Sequence, residues 1–352
     1  MYMTPIKQKH SVIAGLTRNP KTISRRLRVK PAMTIFCLLI GLISCKQNTQ
    51  ATTESKTQVA VPELNADSAY IYTEKQVAFG PRVPNTPAHE ACKQYFVDEF
   101  QRFGAEVTEQ KATLYTYNSQ AIQATNIIAS FQPETKNRIL LCAHWDSRPF
   151  ADQDTNPANH HKAIDGANDG AGACGILLEI ARQIGQQQPS AGIDIILFDA
   201  EDWGTPEFDR AKYGSTGWCL GSKYWAQHPH IPNYTAQFGI LLDMASGKEA
   251  QFYKEYFSLQ YARKYVNKVW DTAQALGYGN YFINRQGGGV EDDHRQVFEY
   301  RHIPCLDIIQ TDAENGHSFG SYWHTLDDNM DAVSKETMKA VGQTVLAVVY
   351  SI

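Results

Sequence analysis

Two adjacent acids, Glu201 and Asp202, close the apolar run Ile195-Ile-Leu-Phe-Asp-Ala. A carboxylate pair at the end of a buried strand allows a division of labour. One acid can ligate a metal while its neighbour moves a proton. In open α/β sheets, ligands sit beyond the carboxyl ends of the strands. An ordinary solvated turn would read the same way in isolation, so the weight rests on what accompanies it. His144 and Asp146 end another apolar run, Asn137-Arg-Ile-Leu-Leu-Cys-Ala, and Asp243 ends a third, Gln237-Phe-Gly-Ile-Leu-Leu. Asp169 lies in the glycine-rich Asp165-Gly-Ala-Asn-Asp-Gly-Ala-Gly, and His324 in Trp323-His-Thr-Leu-Asp-Asp. Alone, an acid in a glycine turn is an Asx-turn former. Carboxylates and imidazoles converging on one sheet edge, with a position left open, are the donor set of a catalytic zinc site.

The elements that must position these residues alternate along the chain. Residues 65–77 read as a helix capped by Asn65 or Asp67, and 88–103 as a second, stopped by Gly104. Residues 106–117 alternate like an edge strand, 125–131 form another strand, and 137–144 a central one. A polar surface loop, 148–162, precedes the Asp169 turn and a helix over 173–187. The strand ending in the two acids follows, then a long loop, 203–218, and a short helix, 220–227. Residues 237–244 read as a buried strand, 256–277 as one long helix, and 287–294 as a close-packed glycine loop. Residues 303–310 form the last core strand, 317–329 a loop, and 331–350 a closing helix. Alternating strands and helices predict a single α/β domain, its central sheet covered by helices on both faces.

The chain has 352 residues and a net charge of −4. No strongly basic stretch lies beyond the N-terminus, which argues against nucleic-acid binding. Residues 33–45 form a short apolar run ending in small residues and Cys45, preceded by Arg25, Arg26, Arg28 and Lys30. Such a run fits a secretory signal and is too short for a membrane span. Leu42-Ile-Ser-Cys45 resembles a lipoprotein signal, with Cys45 as the lipid anchor. Residues 1–45 are therefore expected to be the signal region, with 1–32 an upstream extension if translation starts at Met33. Residues 46–62 read as a flexible tether and 63–352 as the folded domain. The expected location is the bacterial cell envelope, membrane-anchored and facing the periplasm or the cell surface. The five remaining cysteines, Cys92, Cys142, Cys174, Cys219 and Cys305, are odd in number and irregular in spacing. They make a poor disulfide framework and are expected as buried apolar groups.

Taken in order, His144-Trp-Asp-Ser, Gly166-Ala-Asn-Asp169, Phe198-Asp-Ala-Glu201-Asp202, Leu242-Asp243 and Trp323-His324-Thr resemble the zinc aminopeptidase-like family. The likeness is closer to the animal-type glutaminyl-peptide cyclotransferases, which also occur in bacteria. Val290-Glu-Asp292-Asp-His294, the Trp323 beside His324, and Phe79-Gly-Pro-Arg82 carry that closer likeness. It implies a mostly parallel, mixed, twisted sheet and one zinc ion held by Asp169, Asp202 and His324. It implies Glu201 as general base and acid, Asp243 as the holder of the substrate α-amine, and Asp292 as a partner in proton handling. Trp323 and Trp203, or another aromatic of the 203–218 loop, would wall the substrate. The implied substrates are peptides or proteins with an N-terminal glutamine, acted on by a monomer. The chain departs from the family at Asp202, where Glu is usual. His317 is set aside as a rival ligand because its context, Gly316-His-Ser-Phe, does not match. The family pairs a cysteine just before His144 with Cys174, but here Cys142 lies one residue further upstream. On a strand that shift turns the side chain to the other face, so no disulfide is expected. Two rivals remain. A two-zinc aminopeptidase would use His144, Asp169, Asp202, Asp243 and His324, with Glu201 activating water. A non-catalytic lipoprotein would keep the fold as a binding module. Asp292 discriminates, because a peptidase needs an open cleft there.

Overall fold

The computed structural model of the protein describes residues 60–311 and 319–352. The signal region, Cys45, most of the tether and His317 lie outside the described residues. The chain opens with α1 (Ala66–Val77), capped by the Asn65 side chain, and α2 (Pro87–Arg102), capped by Thr86. It continues through β1 (Glu106–Tyr115), β2 (Ala121–Phe131), β3 (Arg138–His144), α3 (Ala173–Gln186) and β4 (Gly192–Phe198). Next come α4 (Arg210–Tyr213), α5 (Leu220–Gln227), β5 (Phe238–Asp243), β6 (Phe252–Lys254), α6 (Tyr256–Tyr261) and α7 (Arg263–Ala275). The chain ends with β7 (Phe282–Gln286), α8 (Asp293–Arg301), β8 (Cys305–Ile309) and α9 (Lys335–Tyr350). Among these helices, none is long and apolar enough to cross a membrane.

The main sheet has six strands in the order β1-β2-β4-β3-β5-β8. β4, β3, β5 and β8 run parallel, and β1 and β2 add an antiparallel edge, so the sheet is mixed as the family resemblance implies. Period-two alternation splits the buried strands between two cores. β3 sends Ile139, Leu141 and Ala143 to the face covered by α1, α2, α3, α7 and α9. It sends Leu140 and Cys142 to the face covered by α5 and α8. Cys174 belongs to the first core and Cys142 to the second, and both are free thiols. The one-residue displacement of the cysteine thus places the sheet between the two sulfurs.

Three expectations need correction. The long helix over 256–277 is two helices that meet at Ala262, whose φ of −136° breaks the helical path. The Ser258 hydroxyl accepts the Asp307 amide at 3.0 Å and fixes α6 on β8, which leaves α7 to leave in a new direction. The 287–294 loop ends at Asp292, where α8 begins. That helix buries Asp293, His294, Gln296 and Val297, so it carries no apolar stripe to read. The closing helix starts later, at Lys335, because Ser334 caps it.

Candidate active site

Parallel pairing sets the site. β3 and β4 lie side by side with His144 opposite Phe198, and β5 flanks β3, so His144, Glu201, Asp202 and Asp243 emerge at one sheet edge. The acid turn is clamped from two sides. The Asp146 carboxylate accepts the Glu201 amide at 3.0 Å and the Asp202 amide at 3.3 Å. Cys219 and Leu220 donate their amides to the carbonyls of Glu201 and Ala200, at 2.9 and 3.1 Å. Ala200 takes a φ of +56°, a left-handed bend that reverses the chain so that both acids face inward. Asp169 sits in the irregular turn Ala167–Gly172. Asp328 holds that turn by accepting the Asn168 and Asp169 amides at 2.8 and 3.1 Å. A Cβ on Gly170 would lie 2.5 Å from the His144 carbonyl and 2.7 Å from its ring. Only glycine lets the Asp169 turn press against β3.

The donor atoms of Asp169, Asp202 and His324 lie within 4.8 Å of one another, all buried. His324 Nε2 is 3.2 Å from Asp202 Oδ1 and 3.5 Å from Asp169 Oδ2. Asp169 Oδ2 and Asp202 Oδ2 are buried without a hydrogen-bond partner. Orphaned buried carboxylate oxygens are costly, and a divalent cation satisfies both at once. Two carboxylates and an imidazole with room for a fourth ligand fit zinc. The surroundings orient this set. Arg148 donates to Asp202 Oδ1 at 3.2 Å and forks onto Asp152 at 2.7 and 3.0 Å. The His324 ring is stacked against Trp323 at 3.8 Å and lies parallel to Trp218 at 6.0 Å.

A second layer of acids lies beside the metal group. Burial pushes the Glu201 carboxyl well above the usual range; His144 opposes this, and the neighbouring Asp202, Asp293 and Asp292 add to it. Burial, then the nearby Asp243 and Asp293, do the same to Asp292. Burial raises Asp293 to about 7 against the Ser222 hydrogen bond. These carboxyls therefore share protons. Asp243 Oδ1 lies 3.2 Å from His144 Nε2, which is also 3.0 Å from Asp169 Oδ1.

Asp169, Glu201, Asp202, Asp243, Asp292 and His324 floor a cavity of about 550 Å³ walled by Trp218, Trp323, Phe319, Ile309, Val290 and Gly289. Trp323 lies where the sequence places it, but Trp203 does not. Trp203 is 5% exposed and packs with Ile122, Ala124 and Ala200. One residue on from the inward-facing Asp202, its side chain turns away, under β2. The wall residue of that loop is Trp218, seated where a Cβ on Gly204 would strike its ring. Arg148, read as the start of a surface loop, is fully buried because Asp202 and Asp152 neutralise it. Sequence reasoning also missed Cys219, whose thiol donates to Glu201 Oε1 at 3.2 Å, and Asp328. Cys219 carries no motif signal, and Asp328, although it ends the stretch around His324, acts through backbone amides 160 residues away that the sequence does not reveal.

The chain's resemblances agree with this geometry. Residues 126–349 match peptidase family M28. A Zn-dependent exopeptidase from Parabacteroides distasonis has a similar structure, with a TM-score of 0.82 at 56% identity, covering 83% of this chain and 100% of that one. A glutaminyl cyclase from Tannerella forsythia gives a TM-score of 0.81 at 57% identity, again covering 83% and 100%. The glutaminyl-peptide cyclotransferase of Bos taurus is 25% identical over 289 residues, 73% of this chain and 74% of that protein. With its sheet edge, its acid turn and its His324 loop all inside the matched span, the chain belongs to peptidase family M28.

Proposed function

We propose that the protein is a zinc-dependent glutaminyl-peptide cyclotransferase, acting as a monomer on peptides or proteins with an N-terminal glutamine. The observation that carries this is the cavity floor. The Asp169–Asp202–His324 group opens onto the same space as the buried carboxyls of Glu201, Asp243 and Asp292. A floor that acidic suits hydrogen bonds from a neutral α-amine and a proton shuttle, and the Trp218 and Trp323 walls suit a flat amide side chain. Similarity to the Tannerella forsythia glutaminyl cyclase over that protein's whole length supports the same reading.

The reaction closes glutamine on itself. The α-amine nitrogen bonds to the side-chain amide carbon, the bond to the amide nitrogen breaks, and ammonia leaves. Asp243 accepts hydrogen bonds from the α-amine and aims it. Glu201 takes the proton that the amine loses and returns it to the departing nitrogen, so the proton count closes without water. A raised carboxyl pKa suits a group that must both accept and give. Asp292, close to both, balances the shared protons. When bound by Asp169, Asp202 and His324, zinc supplies Lewis acidity toward the side-chain amide oxygen.

One observation favours a second reading. His144, Asp169 and Asp243 form another buried three-donor group that shares Asp169 with the first. A two-metal aminopeptidase would use that pair of groups. Incubating the enzyme with a Gln-initiated peptide decides the matter. Ammonia release with the mass loss of one ammonia supports the cyclase. Release of the first amino acid with two zinc ions per chain supports the peptidase. A binding module would do neither. We also propose a lipid tether at Cys45 and a place in the cell envelope, supported by Leu42-Ile-Ser-Cys45 after its apolar run.

A further inference from the structure

Beside the zinc ligands lies another set of donor atoms, in which the reaction uses Glu201 and Asp292 but leaves the Cys219 thiol unexplained. Glu201, Cys219 and Asp292 each offer one atom, and these lie within 4.8 Å of one another, all buried. The group shares no residue with Asp169–Asp202–His324 or with His144–Asp169–Asp243. Its backbone is fixed independently. Cys219 sits at a φ of +55° at the start of α5, its amide bonded to the Glu201 carbonyl at 2.9 Å. Asp292 caps α8 from the other side, with one carboxylate oxygen on the Asp293 amide at 2.5 Å. The other oxygen, Asp292 Oδ2, is buried without a hydrogen bond of good geometry, and Asp292 also approaches His294 and Asp307 on its far side. Glu201 and Asp292 line the open cavity, so an ion can reach them, and the thiol waits directly behind.

We propose that Glu201, Cys219 and Asp292 form an inhibitory site for a soft divalent cation, distinct from the resident zinc site. A thiolate with two carboxylates selects thiophilic d¹⁰ ions such as Zn²⁺ and Cd²⁺ over Mg²⁺ or Ca²⁺. Burial first, and then the neighbouring Glu201, Asp293 and Asp292, hold the Cys219 thiol protonated well above its ordinary range, so the cation must displace that proton while the same acids attract it. On coordination the thiol releases its proton to solvent and the sulfur bonds the metal as thiolate. Asp292 supplies one carboxylate oxygen. The Glu201 carboxylate becomes a ligand and can no longer accept the amine proton. Excess metal would therefore silence the enzyme without displacing the metal it needs. This consequence rests on Glu201 being the general base; the site itself does not.

The test titrates the zinc-loaded protein with Cd²⁺ while following thiolate-to-cadmium charge-transfer absorption, retained zinc and turnover of a Gln-initiated peptide. One Cd²⁺ per chain should bind with the charge-transfer band, zinc should stay, and turnover should fall in step with the band. Cys219→Ser keeps a hydrogen-bond donor at Glu201 but removes the soft ligand. It should abolish the band and raise the inhibition midpoint at least about tenfold relative to its own uninhibited rate. Asp292→Asn keeps the thiol and should weaken Cd²⁺ binding as read by the band alone. Absence of the band in the zinc-loaded protein, release of zinc in proportion to Cd²⁺ bound, or unchanged inhibition in Cys219→Ser would each overturn the site. A band with full turnover would overturn the silencing of Glu201. If the protein has no cyclase activity at all, the assigned function fails, and band, stoichiometry and zinc retention still decide the site.

Discussion

Glu201 and Asp202 are neighbours with different work because the clamped turn presents them to different partners. Asp202 faces His324 and Arg148, whereas Glu201 faces Cys219. The division gives a paired expectation. Glu201→Gln keeps shape and hydrogen-bonding reach but cannot take a proton, so zinc should stay while turnover falls by about 10²–10⁴-fold. Asp202→Asn and His324→Ala should instead lose zinc and activity together. Zinc content measured beside steady-state kinetics on a Gln-initiated peptide checks all three. If Glu201→Gln loses its zinc while Asp202→Asn keeps it, the roles are reversed. At this scale the sequence was informative where a motif fixes side-chain direction, as at Asp169, Asp243, Asp292, Trp323 and His324. It left the second wall open between Trp203 and another aromatic of the 203–218 loop, because a loop carries no period from which direction can be read. Trp218, on the same loop, was equally visible in the sequence, and only the Gly204 contact selects it as the wall.

The elements that hold the site were legible where apolar pattern made them. β3, β4, β5 and β8 are buried along their whole length and read as continuous apolar runs. α8 was not legible, because its buried side is polar. Val297 gives it one apolar anchor, the rest of its buried side is polar, and Glu255 joins it to the loop that carries Asp292. Glu255 accepts the amides of Phe257 at 2.9 Å, Ser258 at 2.5 Å and Val290 at 3.0 Å, and lies 3.2 Å from His294 Nε2. Burial alone would raise its pKa, but His294 and the amide donors bring it from the ordinary 4.5 to about 2. A carboxyl with a depressed folded pKa contributes stability that is present above its unfolded value and lost as pH falls toward the folded one. That contribution, on the order of 3 kcal/mol, should therefore disappear between about pH 4.5 and pH 2. Glu255→Gln should be less stable than the parent at pH 7, and the difference should shrink across that acid window; denaturant midpoints against pH check it. A gap that stays constant would sink the assignment. The Asp169 turn makes the second expectation at this scale. Asp328 touches no substrate, yet it accepts both amides that set the turn. Asp328→Ala should weaken zinc binding by about 10–100-fold, read by chelator competition, with the fold intact.

Across the whole molecule the two ends of the sheet do opposite things with charge. At the carboxyl ends of the strands, buried acids crowd together with oxygens left unpaired. At the amino ends, Arg138 forks onto Asp194 at 2.5 and 2.6 Å, and Tyr234 and Ser130 donate to the same carboxylate at 2.7 and 2.6 Å. Every Asp194 oxygen is satisfied there, so that end holds β2, β3 and β4 together without chemistry to perform. The proposed lipid tether at Cys45 makes a separate expectation about location. Cys45→Ala should move the protein to the soluble fraction with turnover unchanged, and continued membrane association would exclude the lipid tether. The polarity of the sheet itself makes the sharper prediction. Asp194→Ala leaves the Arg138 guanidinium buried without its counter-charge, which should cost about 3–5 kcal/mol of stability. Replacing both partners with apolar residues of similar volume should cost much less, because no orphaned charge remains. Zinc content and turnover per folded molecule should be unchanged in both variants, since the pair lies a strand's length from the site. Denaturant unfolding beside kinetics on the folded fraction measures the two effects separately. A fall in turnover per folded molecule would mean that the amino ends of the strands are coupled to the acids at the other edge, and the separation of scaffold from site argued from their hydrogen bonds would not hold.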